Sequence, residues 1–188
     1  MLFAALILTA GLARARDLGL RIKASTDLLM ARQQHAVSVA GSTQGVEQFG
    51  LFATAPRLEI TRTLTPRVGA GLILQTAGVH PITDGVEGAP SSHTRAGLTL
   101  THTIGPSGAL HGYAQPLFLL SSRTTAADQV TLRALETGAN LGLRIPVGQG
   151  ITVEPAAELL VGTGRATGSA ERSRLLEYGL KLGISLPL

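Results

Sequence analysis

The chain has 188 residues, is 44% hydrophobic and only 15% charged, and carries a formal net charge of +4 with a mean hydropathy of +0.27. That length suits one domain with a sizeable core. The lack of cysteine excludes disulfides and thiolate metal sites, and the lack of a basic run interleaved with aromatics argues against nucleic acid as a partner. A helical membrane protein of this hydropathy would gather its apolar residues in runs of about 20. Here the longest apolar stretch, Met1 to Ala13, is interrupted by Thr9, and elsewhere the apolar residues are dispersed, mostly at every second position.

At the N-terminus, Phe3 to Leu8 forms an apolar core and Ala13-Arg14-Ala15 has the small-x-small pattern of a signal-peptidase site. Residues 1–15 therefore read as a signal peptide and 16–188 as the mature domain, although nothing basic precedes the apolar run. Period-two alternation then marks strands with two chemically different faces. The first runs from Leu18 to Leu28, with Leu18, Leu20 and Ile22 against Arg21, Lys23 and Asp27; residues His35–Thr43 could instead supply the first strand or extend it into a long loop. Phe52–Leu64, Val68–Gly78, Thr94–Ile104 and Leu110–Leu120 follow. Next, Leu135, Ala139, Leu141, Leu143 and Ile145 alternate with Glu136, Gly138, Asn140, Gly142 and Arg144. After these, Ile151, Val153, Ala157, Leu159 and Val161 alternate with Thr152, Glu154, Ala156 and Glu158. The last strand begins near Ser173, with Leu176, Tyr178, Leu180, Leu182, Ile184, Leu186 and Leu188 on one face and Glu177, Gly179, Lys181, Gly183 and Ser185 on the other.

Tight connections at Thr65–Arg67, Gly105–Ala109 and Pro146–Gly150 alternate with longer polar ones, the layout of a transmembrane barrel with short periplasmic turns. Centring the three turns on Pro66, Ser107 and Gly148 pairs Leu64 with Val68, Ile104 with Leu110, and Ile145 with Ile151, apolar against apolar each time. The reading is all-β: an antiparallel up-and-down transmembrane β-barrel of about eight strands.

Alternation also fits a soluble lipocalin-like barrel with the faces reversed. The near-cancelling charges of the polar face favour a lumen, because buried charges need partners. Arg21, Lys23, Arg57, Arg95, Arg144 and Lys181 oppose Asp27, Glu59, Glu136, Glu154, Glu158 and Glu177. The third hairpin is expected to set Glu154 opposite Gly142 and Glu158 opposite Gly138, with Arg144 diagonal to Glu154.

The stretch Lys181-Leu182-Gly183-Ile184-Ser185-Leu186-Pro187-Leu188 resembles the outer-membrane β-signal, a polar residue followed by x-Gly-x-x-hydrophobic-x-hydrophobic. Over nearly the whole mature chain the pattern is similar to the small bacterial outer-membrane β-barrels of the OmpA/OmpX type, a porin-like superfamily. Two departures stand out: Leu188 replaces the usual terminal aromatic, and Phe49, Phe52, Tyr113, Phe118 and Tyr178 are too few for two aromatic girdles. Pro187 is tolerable only beside a strand end, and Arg62 could snorkel to the periplasmic interface.

The resemblance implies an outer-membrane location in a Gram-negative cell envelope, with membrane lipid and lipopolysaccharide as surroundings. It also implies recognition of the last strand by the barrel-assembly machinery, and a monomer. No catalytic, cofactor or metal residue is assigned. His80 and His93 bracket a loop holding Asp84 and Glu87, which scattered loop polarity explains better than a metal would. His102 falls on the apolar parity and His111 on the polar one, and no nucleophile–base–orienter set forms by spacing. The expected function is a non-enzymatic barrel with a structural, adhesive or surface role and a side-chain-filled lumen. The alternatives are a narrow channel for small solutes and a secreted soluble barrel holding an apolar ligand. Deleting Gly183–Leu188 should abolish assembly into the outer membrane, read as loss of heat-modifiable mobility in the membrane fraction; unchanged assembly would remove the β-signal from the argument.

Overall fold

A computed structural model describes residues 19–37, 43–51, 57–79, 82–83, 86–87, 91–105, 110–125, 131–170 and 172–188. The signal peptide expected over 1–15 lies outside them. The described strands are β1 (Leu20–Val37), β2 (Thr43–Leu51), β3 (Arg57–Thr65), β4 (Val68–Val79), β5 (Ile82–Thr83), β6 (Val86–Glu87), β7 (Ser91–Ile104), β8 (His111–Thr125), β9 (Thr131–Gly148), β10 (Ile151–Ala166) and β11 (Arg172–Pro187).

Every pairing is antiparallel, and neighbours in the wall follow chain order from β3 through β4 and β7 to β11. The last strand then pairs with the first, from Arg21 opposite Pro187 to Val37 opposite Arg172, and the sheet closes. Segments β2 and β3 share one wall position, since β2 pairs with Leu29–Val37 of β1 and β3 with Leu20–Ser25. Eight strand positions result. Beyond the wall, β5 pairs with β2 at Phe49 opposite Ile82 and turns back through β6.

The first strand combines both sequence readings: β1 continues unbroken from the 18–28 segment into the start of 35–43. An extra residue between Asp27 and Leu29 makes this continuation compatible with the faces. A bulge of this kind shifts side-chain parity by one, so Lys23, Ser25 and Asp27 point inward before it and Met30 after it. The Phe52 end of the expected second strand lies outside the described residues.

The hairpin centred on Pro66 holds, with Arg62 opposite Ala70 and Ile60 opposite Leu72; an irregularity beside the turn pairs Thr65, not Leu64, with Val68. The other two registers are corrected by two residues. Ile104 opposes Gly112, not Leu110, and Ile145 opposes Val153, not Ile151. The turn geometry supplies the reason in the latter case: Gly148, Gln149 and Gly150 all adopt positive φ, and the ladder shifts between Ile151 and Thr152. A shift of two preserves which face each residue occupies, so the apolar faces stay aligned, although Ile104 now meets a glycine.

Two mid-strand prolines escaped the sequence reading. Pro116 and Pro155 each lack the N–H a ladder requires. Ladder pairing between β7 and β8 skips from Thr99–Leu117 to His102–Ala114, and between β9 and β10 from Val153–Ile145 to Ala156–Gly142. Thr99 Oγ1 donates to the Pro116 carbonyl at 2.9 Å, covering part of the first gap.

The wall is inside-out relative to a soluble barrel. Leu72 is 63% exposed and Leu74 54%, whereas Ile73 between them is 3% exposed. Leu98, Leu120, Leu135, Leu141, Leu159, Leu180 and Ile184 likewise face outward, while Lys23, Asp27, Arg57, Glu59, Arg95, Glu154, Glu158 and Lys181 are buried. The ten steps from Leu176 to Leu186 on β11 span about 25 Å of height at about 3.3 Å per residue and a tilt of about 40°. That height matches the apolar band of a membrane barrel. Its upper edge is a collar of Ser92, Thr94, Ser122, Thr131, Arg133, Thr163, Arg165, Arg172 and Arg174 in place of aromatics. Leu98→Arg should destabilise the folded barrel in lipid vesicles by about 2–4 kcal/mol, measured by reversible denaturant unfolding; a cost near zero would show that this face meets water.

Candidate functional site

The lumen is where the sequence concentrates its charge, and chords between non-adjacent strands lace it from wall to wall. Near the short turns, Glu154 on β10 collects Lys23 Nζ of β1 at 2.9 Å and Arg144 Nε of β9 at 3.2 Å. Ser185 Oγ donates to the same carboxylate at 2.8 Å and Thr152 Oγ1 at 3.2 Å. Lys23 also donates to the Tyr113 hydroxyl at 3.1 Å, and the Tyr113 ring lies 5.0 Å from Lys23 Nζ and 5.1 Å from the Arg144 guanidinium. Tyr113 therefore serves the lumen and not an interfacial girdle, with its ring contacting both cations through its electron-rich face. Gly142 makes room for it, since a Cβ there would lie 2.7 Å from Tyr113 Cζ.

The middle tier closes the barrel seam. Arg57 of β3 holds Glu158 of β10 with both terminal nitrogens, and Lys181 of β11 bridges Glu158 at 3.2 Å to Asp27 of β1. Asp27 and Lys181 are direct cross-strand partners on the two strands that close the cylinder. Opposite them, Gln115 Nε2 donates to Glu59 at 2.6 Å, Thr61 Oγ1 donates to Glu59 at 2.8 Å, and Asn140 Nδ2 donates to Gln115 at 3.0 Å. Towards the long loops, Arg95 of β7 donates to both oxygens of Glu177 on β11, at 2.8 and 2.6 Å, and its Nε lies 2.8 Å from Glu136, which also accepts from Ser121 Oγ at 2.7 Å.

Every charged group expected inside is inside. The expected glycine partners are corrected: Gly142 and Gly138 on β9 face Ala156 and Leu160, and Glu154 and Glu158 instead oppose Gly183 and Gly179 on β11. The two-residue correction of that hairpin causes the exchange. Arg144 meets Glu154 as anticipated.

An apolar layer was missed. Ile73, Leu117, Leu119 and Leu160 form a buried cluster within the lumen, set against Gly97 and Gly138, which lie opposite Leu119 and Leu117. Each belongs to a continuous apolar run, Leu72–Leu74, Leu117–Leu120 or Leu159–Val161, where alternation alone hides which residue points inward. A second cluster, Leu132, Ala134 and Leu175, sits nearer the long loops.

The histidine expectations resolve differently. His93 belongs to the β7 wall and not to a loop; it is buried, with Nε2 4.0 Å from Glu136. His80 and Asp84 lie outside the described residues, and no metal-competent cluster occurs among the described ones. His102 is exposed on the outward face while His111 has the inward parity, so the two diverge.

No family model matches the sequence, and no curated protein matches it. Solved structures do. Neisserial surface protein A aligns with a TM-score of 0.57 at 11% identity, covering 90% of this chain and 97% of that one. The outer membrane protein OprG from Pseudomonas aeruginosa aligns at 0.56 and 12%, covering 90% and 97%. The fold is that of the small outer-membrane β-barrels. The outer membrane protein AlkL, solved in lipid bilayers, aligns at 0.55 and 11%, covering 90% and 91%. At such identities the shared feature is the barrel itself, eight antiparallel strands with an apolar outside.

Replacing Glu158 by Gln would leave Arg57 and Lys181 without their shared buried anion. Unfolding in vesicles should show a loss of about 3–5 kcal/mol, and Arg57→Met combined with Glu158→Leu should recover much of it.

Proposed function

We propose that the chain is a non-enzymatic protein of the bacterial outer membrane, a closed barrel that holds surface-facing loops in place for a structural or adhesive role. The observation that carries this reading is the filled lumen. A water-wide path would leave accessible surface on the residues lining it. Arg57, Arg95, Tyr113, Gln115, Leu117, Leu119 and Glu154 are each at most 2% exposed. The packed cross-section combines an apolar layer with ion pairs spanning the lumen, as expected for a barrel too narrow to leave its interior empty.

Glu154, Glu158 and Glu177 are engaged with cations of the same lumen and Glu59 with Gln115 and Thr61, which supports a structural use of that charge over a catalytic one. The β-signal strand β11 makes the closing pairing with β1. In this reading the assembly machinery engages β11 before the seam forms. In the same reading the barrel works as a monomer, since its described wall closes on itself through β1 and β11.

Detergent-dependent fractionation followed by planar-bilayer recording tests the proposal. The protein should enter solution only with detergent and show no conductance steps once inserted. Recovery as a soluble monomer without detergent would overturn the membrane reading, and reproducible unitary steps would replace the closed scaffold with a narrow channel.

A further inference from the structure

We infer that Arg133, Arg165, Arg172 and Arg174 form a binding site for lipid-borne phosphate on the outer wall of β9, β10 and β11. Register places Arg165 directly opposite Arg133 on one side and Arg172 on the other. Arg174 lies two residues further along β11, on the same outward face, and all four side chains are exposed. Directly opposed side chains stand about 4.5–5.5 Å apart at Cβ, and like charges there are destabilising. Three arginines abreast thus weaken the wall unless an anion lies over them. The described outward neighbours, Ser122, Thr131, Leu135, Val161, Thr163 and Leu176, include no carboxylate.

The position of the row identifies the anion. It sits where the outward apolar band gives way to the hydroxyl collar, on the long-loop side. Directly beneath it the outer wall forms an apolar groove of about 480 Å³, lined by Leu135, Val161 and Leu176 and bordered by Arg174. Guanidinium groups above an acyl-sized apolar groove complement a molecule with a phosphate at one end and hydrocarbon at the other. Arginine suits the phosphate end because its planar fork can bond two phosphate oxygens at once. The ligand class is a phosphorylated membrane lipid of the outward leaflet. The inference rests on the outer-membrane reading for its orientation, but its test works in any bilayer.

Wild-type protein, R133Q/R165Q/R172Q and R165Q would be refolded into phosphatidylcholine vesicles containing increasing fractions of bisphosphorylated lipid A, and the thermal midpoint read by heat-modifiable mobility. Lipid A should raise the wild-type midpoint. The fraction giving half the effect should rise about fivefold for the single variant and about a hundredfold for the triple variant. In phosphatidylcholine alone the triple variant should match or exceed wild type, since repulsion has been removed; if it does not fold, R165Q carries the comparison. An equal response of wild type and variants would overturn the site. So would an equal response to dephosphorylated lipid A, which would assign the effect to acyl packing, or reproduction of the shift by inorganic phosphate, which would remove the lipid. Failure here leaves the fractionation and conductance results standing.

Discussion

Charge enclosed in a narrow, apolar-walled cylinder is the constraint on which the rest of this structure depends. An isolated ion in such a place costs several kcal/mol even after relaxation, so the lumen charges need partners within reach, mostly of opposite sign. Adjacent strands alone do not provide those contacts. Arg57 and Glu158 stand three wall positions apart, and Arg95 and Glu177 four, the full breadth of the barrel. The ion pairs therefore act as chords that fix the cross-section, and they stand in for the apolar core that the bilayer makes unnecessary. Where no chord passes, Ile73, Leu117, Leu119 and Leu160 fill the space, and glycines on the neighbouring strands β7 and β9 admit the bulk of Leu119 and Leu117.

The same constraint shapes the seam. Closing a sheet into a cylinder joins the strands most distant in sequence, and here the joint is made by Asp27, Lys181 and Glu158 on three consecutive wall positions. Lys181 is also the first residue of the segment that resembles the β-signal. One side chain thus belongs both to a terminal recognition pattern and to the ion pair that completes the barrel. Its inward orientation follows from the strand period, which places Lys181, Gly183 and Ser185 inside while Ile184 and Leu186 meet lipid.

The strand pattern was legible in the sequence because a two-faced environment repeats every second residue and leaves period two behind. For the same reason the inward charges could be named before any coordinates. Register was legible only to the nearest even shift, since a displacement by two leaves hydrophobic matching intact; the Gly148–Gly150 turn decided it by local dihedrals. Three further features left no periodic trace. The Leu28 bulge reverses parity within a strand, which made two candidate first strands out of one. The lumen leucines hide in runs where both faces are apolar. Tyr113, a residue type expected at the interface, packs inside because Gly142 leaves it a space that only three-dimensional adjacency reveals.

Taken together, these features locate the protein's unusual chemistry at its edges and not in its middle. Most of the charge in the lumen is paired within it and serves to hold shape. The described cations that face outward are not neutralised in this way, and they are unevenly distributed. Arg62 and Arg67 lie at the short-turn end, while the arginine row gathers on three adjacent strands at the other. A barrel with few aromatics must find other anchors at the membrane surface, because the apolar band alone fixes depth only loosely. Hydroxyls and guanidinium groups can provide that anchoring only where the surroundings offer acceptors, and at a membrane boundary the abundant acceptors are the phosphates of the lipids themselves.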